Sequence, residues 1–233
     1  MARKRAQSGR GRAAPLTPDQ IIEAALRIAD VEADLDQLTV RRLATELNVG
    51  TMTLYSYFRS KENILDGMAD HVLGRMPLPD EPDNTPGDAI RTVARAFLAM
   101  MREHPSVVRI FSTRVTDSRA ALRGAMEAVL DRLVAAGIPG PLAVRCYGFL
   151  ITYTIGFVSY QIPRSWGGAP DSDEDLAEVR RQRVHFYKGL PATEFPHMVD
   201  LADTLVDLPS DAQYLAGVEA FVQTVEAALE NTR

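Results

Sequence analysis

Cysteine is nearly missing: Cys146 is the one thiol in 233 residues. That excludes an internal disulfide and any multi-thiolate metal site, suits a reducing compartment, and leaves Cys146 to act as a small buried apolar residue. The four histidines, His71, His104, His185 and His197, never fall into H-x-x-H or H-E-x-x-H spacing, so no local zinc site is expected. No G-x-S-x-G or phosphate-binding loop is present, and Gly9-Arg10-Gly11 with Ala14 echoes a dinucleotide fingerprint without the strand it requires. The acidic cluster Asp171, Asp173, Glu174 and Asp175 reads as a solvated helix start rather than a metal site. No apolar run approaches the roughly 20 residues that span a bilayer, and Met1 leads into Arg-rich polar sequence rather than an apolar leader. Together these absences predict a cytoplasmic protein that is not an enzyme, with no cofactor and no metal. The 46% hydrophobic content is still ample for real cores.

A surplus of basic charge is also lacking, since the net charge is -5. Its distribution is more informative than the total. Residues 1–61 hold ten Lys/Arg against seven acids, a local excess of +3, and the remainder carries −8. Within the basic part, residues 1–14 contain Arg3, Lys4, Arg5, Arg10 and Arg12, no acid, and little besides Gly, Ala and Ser. Such a composition predicts a flexible arm, drawn at residues 1–16, suited to phosphate or minor-groove contact.

Helical periodicity dominates the rest. Thr17-Pro18-Asp19-Gln20 combines a capping Thr, a first-turn Pro and a Gln three residues after the cap, which marks a helix start with an apolar stripe of Ile22, Ala25, Leu26 and Ala29. Further helices are expected at 39–47, 51–57 and from Ser60 to about Met76, the last burying Leu65, Met68, Ala69, Val72 and Met76. Pro77, Pro79, Pro82 and Pro86 then break the pattern. Beyond them helices are expected near 88–103, 105–113, 117–136, 141–162, 173–188, 196–206 and 211–230, with a long loop from Pro163 to Asp173.

The stretch from Leu38 to Phe58 has the pattern of a helix-turn-helix. Ala44 is small where two helices must cross closely, and Asn48 is the best non-glycine residue for a sharp turn with positive φ. Leu43, Leu47, Val49, Leu54 and Phe58 face inward, which leaves Thr51, Met52, Thr53, Tyr55 and Tyr57, with Lys61 beyond, on a polar outer face. Hydroxyls and lysine there suit phosphate oxygens, Thr51, Met52 and Tyr55 suit base edges, and Arg41 and Arg42 add a guanine and a phosphate contact.

Leu38-Thr39-Val40-Arg41-Arg42-Leu43-Ala44 followed by Thr53-Leu54-Tyr55-Ser56-Tyr57-Phe58-Arg59-Ser60-Lys61-Glu62 resembles the signature of TetR-type transcriptional repressors. The resemblance implies an all-α protein with a three-helix DNA-binding domain, here 17–62, and a larger helical domain, here 63–233, that dimerises and binds a small-molecule effector. By position it implies Arg41, Thr51, Met52, Thr53, Tyr55, Tyr57 and Lys61 as DNA contacts; Asn48 stands where glycine is commoner. Val107 to Val115 and Tyr153-Thr154-Ile155-Gly156 resemble the tetracycline-binding branch, but Ile110 and Phe111 stand where those repressors place a magnesium-chelating histidine. Magnesium-tetracycline is therefore not the expected ligand.

In the C-terminal part, Leu215, Val218, Val222, Val225 and Leu229 recur in a heptad-like seam, and Gly148, Thr152 and Gly156 form a small-residue ridge. Both are expected at a homodimer interface that presents two recognition helices to a palindromic operator. Phe97, Met101, His104, Phe111, Arg114, Tyr147 and Ile151, with Arg109 as a further polar candidate, are the expected lining of a largely apolar effector pocket. The expected function is thus a ligand-responsive repressor bound to double-stranded operator DNA, with a regulator answering to a protein partner or to no ligand as the alternative, and an all-helical enzyme behind it.

Overall fold

The computed structural model describes residues 16–31, 34–114, 118–161 and 173–231, with the side chains of 173–176 left aside. The arm, the loop after residue 162 and the acidic cluster beginning at Asp171 fall wholly or largely outside these, as far as their side chains are concerned. Among the described residues every regular element is helical.

The N-terminal unit forms as its caps dictate. Thr17 and Gln20 close a reciprocal capping box on α1 (Pro18–Asp30), whose apolar stripe is wider than expected because Ile21, Ala24 and Ile28 are also buried. A 3₁₀ turn, Leu35–Gln37, leads to α2 (Val40–Glu46), capped by Thr39, and to α3 (Thr51–Tyr57). Between α2 and α3 Asn48 takes φ 52°, the left-handed conformation anticipated for the turn. Ser60 caps α4 (Lys61–Leu73). This helix buries Ile64 and Leu73 along with Met68, Ala69 and Val72, while Leu65 is only partly covered.

The larger unit comprises α5 (Pro86–Glu103), α6 (Pro105–Thr113), a broken helix over residues 119–135, α9 (Gly140–Gln161), α10 (Asp173–Lys188), the short α11 (Pro196–Asp200) and α12 (Ala202–Leu205), and α13 (Asp211–Glu230). The broken helix starts as α7 (Arg119–Ala121), widens into a π-helical turn, Leu122–Glu127, and resumes as α8 (Ala128–Ala135). Periodicity alone had suggested one continuous helix. At the π turn Gly124 lies against Gly74, just past α4, so closely that a Cβ there would stand 2.5 Å from Gly74 Cα and 2.7 Å from the Leu73 carbonyl oxygen.

The Pro-rich link between α4 and α5 is pinned. Arg132 of α8 donates to the Pro79 and Glu81 carbonyls and pairs with Asp83, which also accepts the Thr92 hydroxyl. With side chains 12% and 8% exposed, Arg132 and Asp83 are a largely desolvated pair whose remaining polar atoms are satisfied.

α9 corrects one expectation. It runs for 22 residues and holds an 18-residue window of mean hydropathy 1.4, long and apolar enough to cross a membrane by length and composition alone, even though Arg145 and its hydroxyl residues interrupt the run. It packs on α5, α6 and α8 and buries Ala143, Cys146, Leu150, Thr154, Phe157 and Val158, as a core helix does. Burial pushes the Cys146 thiol up to about 11. An aromatic row, Phe221, Phe149, Tyr153, Tyr214 and Phe157, joins α9 to α13 with successive ring centroids 3.9 to 5.4 Å apart. Tyr214 is fully buried, and its hydroxyl donates to the Ala94 carbonyl of α5 while meeting the Thr154 hydroxyl.

Candidate nucleic-acid interface

Leu43 and Ala44 on α2 and Leu54 on α3 are buried, so the hairpin is clamped from within and its outer face is fixed. Thr51, Met52, Thr53 and Tyr55 all stand on that face, Met52 78% and Tyr55 46% exposed. On this seven-residue helix Met52 and Tyr55 present an apolar tip and a phenol to whatever lies alongside. Arg41 and Arg42 are exposed at the start of α2, where Arg42 reaches Gln37 at 3.4 Å. Hydroxyls, guanidinium groups and one apolar tip along a convex helix make a surface that can bind phosphates and read base edges.

Two residues expected on this face are otherwise engaged. The Tyr57 hydroxyl donates to the Leu16 carbonyl at 2.6 Å, which ties the root of the N-terminal segment to the end of α3. Lys61 turns inward, with Nζ donating to the Leu35 carbonyl at 3.2 Å. It lines a crevice of about 230 Å³ with Leu65, Arg109, Thr113 and Arg114, between the N-terminal helices and α6. Sequence spacing places both residues near α3, but only the fold reveals main-chain acceptors 41 and 26 residues away.

The expected pocket residues divide into two groups. Phe97 and Met101 of α5 are fully buried, and Phe97 meets Tyr147 of α9 edge-on at 5.9 Å. Ile151 lies one turn beyond Tyr147 and is partly covered. Burial raises the Tyr147 phenol above its usual range, so it remains a neutral donor. These four form an apolar and aromatic zone between α5 and α9 with one phenol. Phe111 is partly buried on α6. His104 Nδ1 meets Asp30 at 2.8 Å and Arg114 Nε donates to Asp66 at 2.8 Å. Arg109 reaches Asp36 at 3.4 Å. The three polar candidates on and beside α6 thus face the N-terminal unit. Ile110, at the position of the missing histidine, is buried, and among the described residues no group of three or more His, Cys, Asp or Glu side chains could hold a metal ion.

The expected seam on α13 needs correction. Val218, Val222 and Val225 are 0 to 2% exposed within the protomer, where α13 packs on α5, and Leu229 is partly covered; Leu215 alone of the five points outward, at 49%. A 3-4 spacing marks a buried stripe without saying which helix buries it. The outward face of α13 is instead Ala212, Gln213, Leu215, Ala216, Ala220, Gln223, Thr224, Glu226, Ala227 and Glu230, alanines interspersed with polar and acidic residues. On α9, Thr152 and Gly156 are exposed, Gly148 is half-covered, and a Cβ at either glycine would meet nothing within 4 Å. The alanines on α13, missed in the sequence, share the small-residue character that singled out the α9 ridge.

Residues 21–68 match the profile "Bacterial regulatory proteins, tetR family", and residues 78–229 match "Tetracyclin repressor-like, C-terminal domain". The HTH-type transcriptional repressor DrrR1 of Streptomyces coeruleorubidus is 32% identical over 199 residues, 83% of this chain and 72% of that protein. Two crystal structures of the TetR family protein ActR from Streptomyces coelicolor are similar in fold. The complex with (S)-DNPA has a TM-score of 0.73 at 30% identity, covering 92% of this chain and 99% of that one. The complex with actinorhodin has a TM-score of 0.72 at 32% identity, covering 92% and 97%.

Proposed function

The chain belongs to the TetR family of bacterial regulatory proteins, and from that premise we propose that it is a ligand-responsive transcriptional repressor acting as a homodimer on a palindromic operator. The observation that carries the reading is the outer face of α3, where Thr51, Met52, Thr53 and Tyr55 stand free on a helix locked from behind by Leu43, Ala44 and Leu54. The work divides among a basic arm at 1–16, a reader at 17–62 and an effector and dimerisation domain at 63–233. Arg41, Arg42 and the α3 residues contact DNA, the arm adds phosphate contacts, and the −8 excess of the larger domain turns it away from the duplex.

Dimerisation uses the exposed small-residue ridge of α9 and the exposed alanines of α13, which permit close backbone approach and set two α3 helices about one helical turn of DNA apart. The effector is small and largely apolar and fills the zone around Phe97, Met101, Tyr147 and Ile151, where the Tyr147 phenol serves one polar atom of the ligand. ActR, crystallised with actinorhodin and with (S)-DNPA, supports a ligand in a domain of this fold. The role is binding rather than catalysis, in the cytoplasm. Effector binding favours a state in which α4 shifts and the two α3 helices no longer match the groove repeat, to the extent that its affinity differs between the two states.

Selection of bound sequences from random duplex DNA tests this. A palindromic consensus with half-sites about one turn apart is expected. Recovery of no consensus, or of a single asymmetric site bound by one protomer, contradicts it.

A further inference from the structure

α6 begins at a corner that leaves its N-terminus without a cap of its own. His104, at the cap position, makes no side-chain capping bond, and the following Pro105 has no N–H. The next donor is the N–H of Ser106, a residue 1% exposed, and the first turn of a helix leaves such groups without helical partners. Asp30, the last residue of α1, supplies the acceptor from 76 residues away. Its Oδ1 accepts the Ser106 N–H at 3.1 Å and also the Ser106 hydroxyl, and its Oδ2 meets His104 Nδ1 at 2.8 Å.

A carboxylate is favoured at the positive N-terminal end of a helix and disfavoured at the negative C-terminal end. Asp30 therefore sits against the preference of α1, its own helix, and with the preference of α6. The Asp30 and His104 side chains are 15% and 25% exposed, so the tie is shielded from solvent. The neighbouring ties of α6 are more open: 61% and 76% for Arg109 and Asp36 of the reader, 28% and 47% for Arg114 and Asp66 of α4. Exposed pairs of that kind are weakened by water and salt. A proton on His104, favoured by the Asp30 carboxylate, adds charge to the shielded tie.

We propose that Asp30 is a positioning residue: by capping α6 from α1, it fixes the angle of the reading head on the effector domain and so the separation of the two recognition helices. The inference rests on the dimeric operator-binding reading above, and it requires no contact between Asp30 and DNA or ligand. A head held at one angle matches one half-site spacing. A head free to tilt accepts several spacings and loses the local-concentration advantage that the first bound head gives the second.

The test compares the wild type with Asp30→Ala and Asp30→Asn by fluorescence anisotropy on three duplexes: the selected palindrome, the same palindrome with one central base pair inserted, and a single half-site. Asp30→Ala is expected to lower palindrome affinity about tenfold, to change half-site affinity by less than about twofold, and to shrink the penalty for the inserted base pair. Asp30→Asn, whose amide oxygen still accepts from Ser106, is expected to recover most of the palindrome affinity. Should Asp30→Ala fail to fold, Ser106→Ala, which removes the hydroxyl bond alone, carries the same comparison with a smaller change in the same direction. Equal losses on palindrome and half-site, or an unchanged spacing preference, overturn the positioning role. Failure of the wild type itself to prefer the palindrome over the half-site overturns the dimeric reading instead, and is seen without any variant.

Discussion

Gly124→Ala places one methyl group where the structure has no room for it. The new Cβ would stand 2.5 Å from Gly74 Cα, 2.7 Å from the Leu73 carbonyl oxygen and 2.9 Å from Gly74 C. All three are backbone atoms, so no rotamer change relieves the contact. Ordinary carbon–carbon contacts lie at about 3.5–4.0 Å, so α4 and the π-helical turn must separate by roughly 1 Å. Overpacking of this kind costs about 1–3 kcal/mol, offset in part by the roughly 1 kcal/mol by which alanine exceeds glycine inside a helix. With three backbone atoms to displace the upper end applies, and a net loss of about 2 kcal/mol lowers Tm by roughly 4–8 °C in a chain of this size. Because the displaced element is the end of α4, which packs on α1 of the reader, operator affinity should fall as well. Differential scanning fluorimetry with anisotropy on the selected operator measures both. A Tm equal to or above that of the wild type refutes the close approach, and a lowered Tm with full operator affinity refutes its link to the reader.

Tyr55→Ala should weaken operator binding by about 1–3 kcal/mol while leaving Tm within about 1 °C, since the ring is 46% exposed; a large drop in Tm places Tyr55 in the core instead. Gly148→Leu puts a bulky side chain into space that is empty within the protomer, so light scattering should show species of twice 25.7 kDa for the wild type and of 25.7 kDa for the variant; a variant that stays dimeric moves the interface elsewhere. Stability should also depend on the proton of His104. Its pKa is raised above the usual 6.5, first by the hydrogen bond to Asp30 and then, against desolvation, by the charges of Asp30 and Glu103. A raised native pKa means that this contribution is complete below pH 6.5 and is lost as pH rises through the native value. Nearby His71 on α4 is shifted the opposite way, by desolvation first and then by Arg75, and so erodes stability as pH falls below 6.5. Urea midpoints of His104→Gln should therefore lose less than the wild type between pH 6.5 and 8, and identical slopes would remove His104 as the source.

Local chemistry was legible in the sequence, and pairings across long separations were not. The Thr17 and Gln20 box and the left-handed Asn48 follow from residues within three positions of each other, and both appear in the structure as expected. The exposed row on α3 followed from its spacing, because a helix clamped at Leu54 has one face left. Val218, Val222 and Val225 showed that a helix stripe is buried without showing that α5, in the same protomer, buries it. The π-helical turn left no signal in the periodicity, and the partner that Gly124 meets there, Gly74, lies 50 residues earlier in the chain. Asp30 likewise looks like an ordinary helix-end acid until the fold brings Ser106 and His104 to it. His104 and Arg114 are polar groups amid apolar residues in the sequence, which is equally true of groups that bind a carboxylate on another helix.

Coupling between the apolar zone of α5 and α9 and the operator is tested most directly by measuring operator affinity with and without a compound that stabilises the protein. A thermal-shift screen of apolar metabolites and antibiotics supplies the compound, because a ligand bound to the native state alone must raise Tm. Anisotropy on the selected palindrome, at fixed ionic strength, should then show affinity falling by about tenfold or more at saturation, within the range of coupling energies known for such switches. A compound that raises Tm, is lost on Tyr147→Ala, and leaves operator affinity unchanged would contradict ligand-controlled repression.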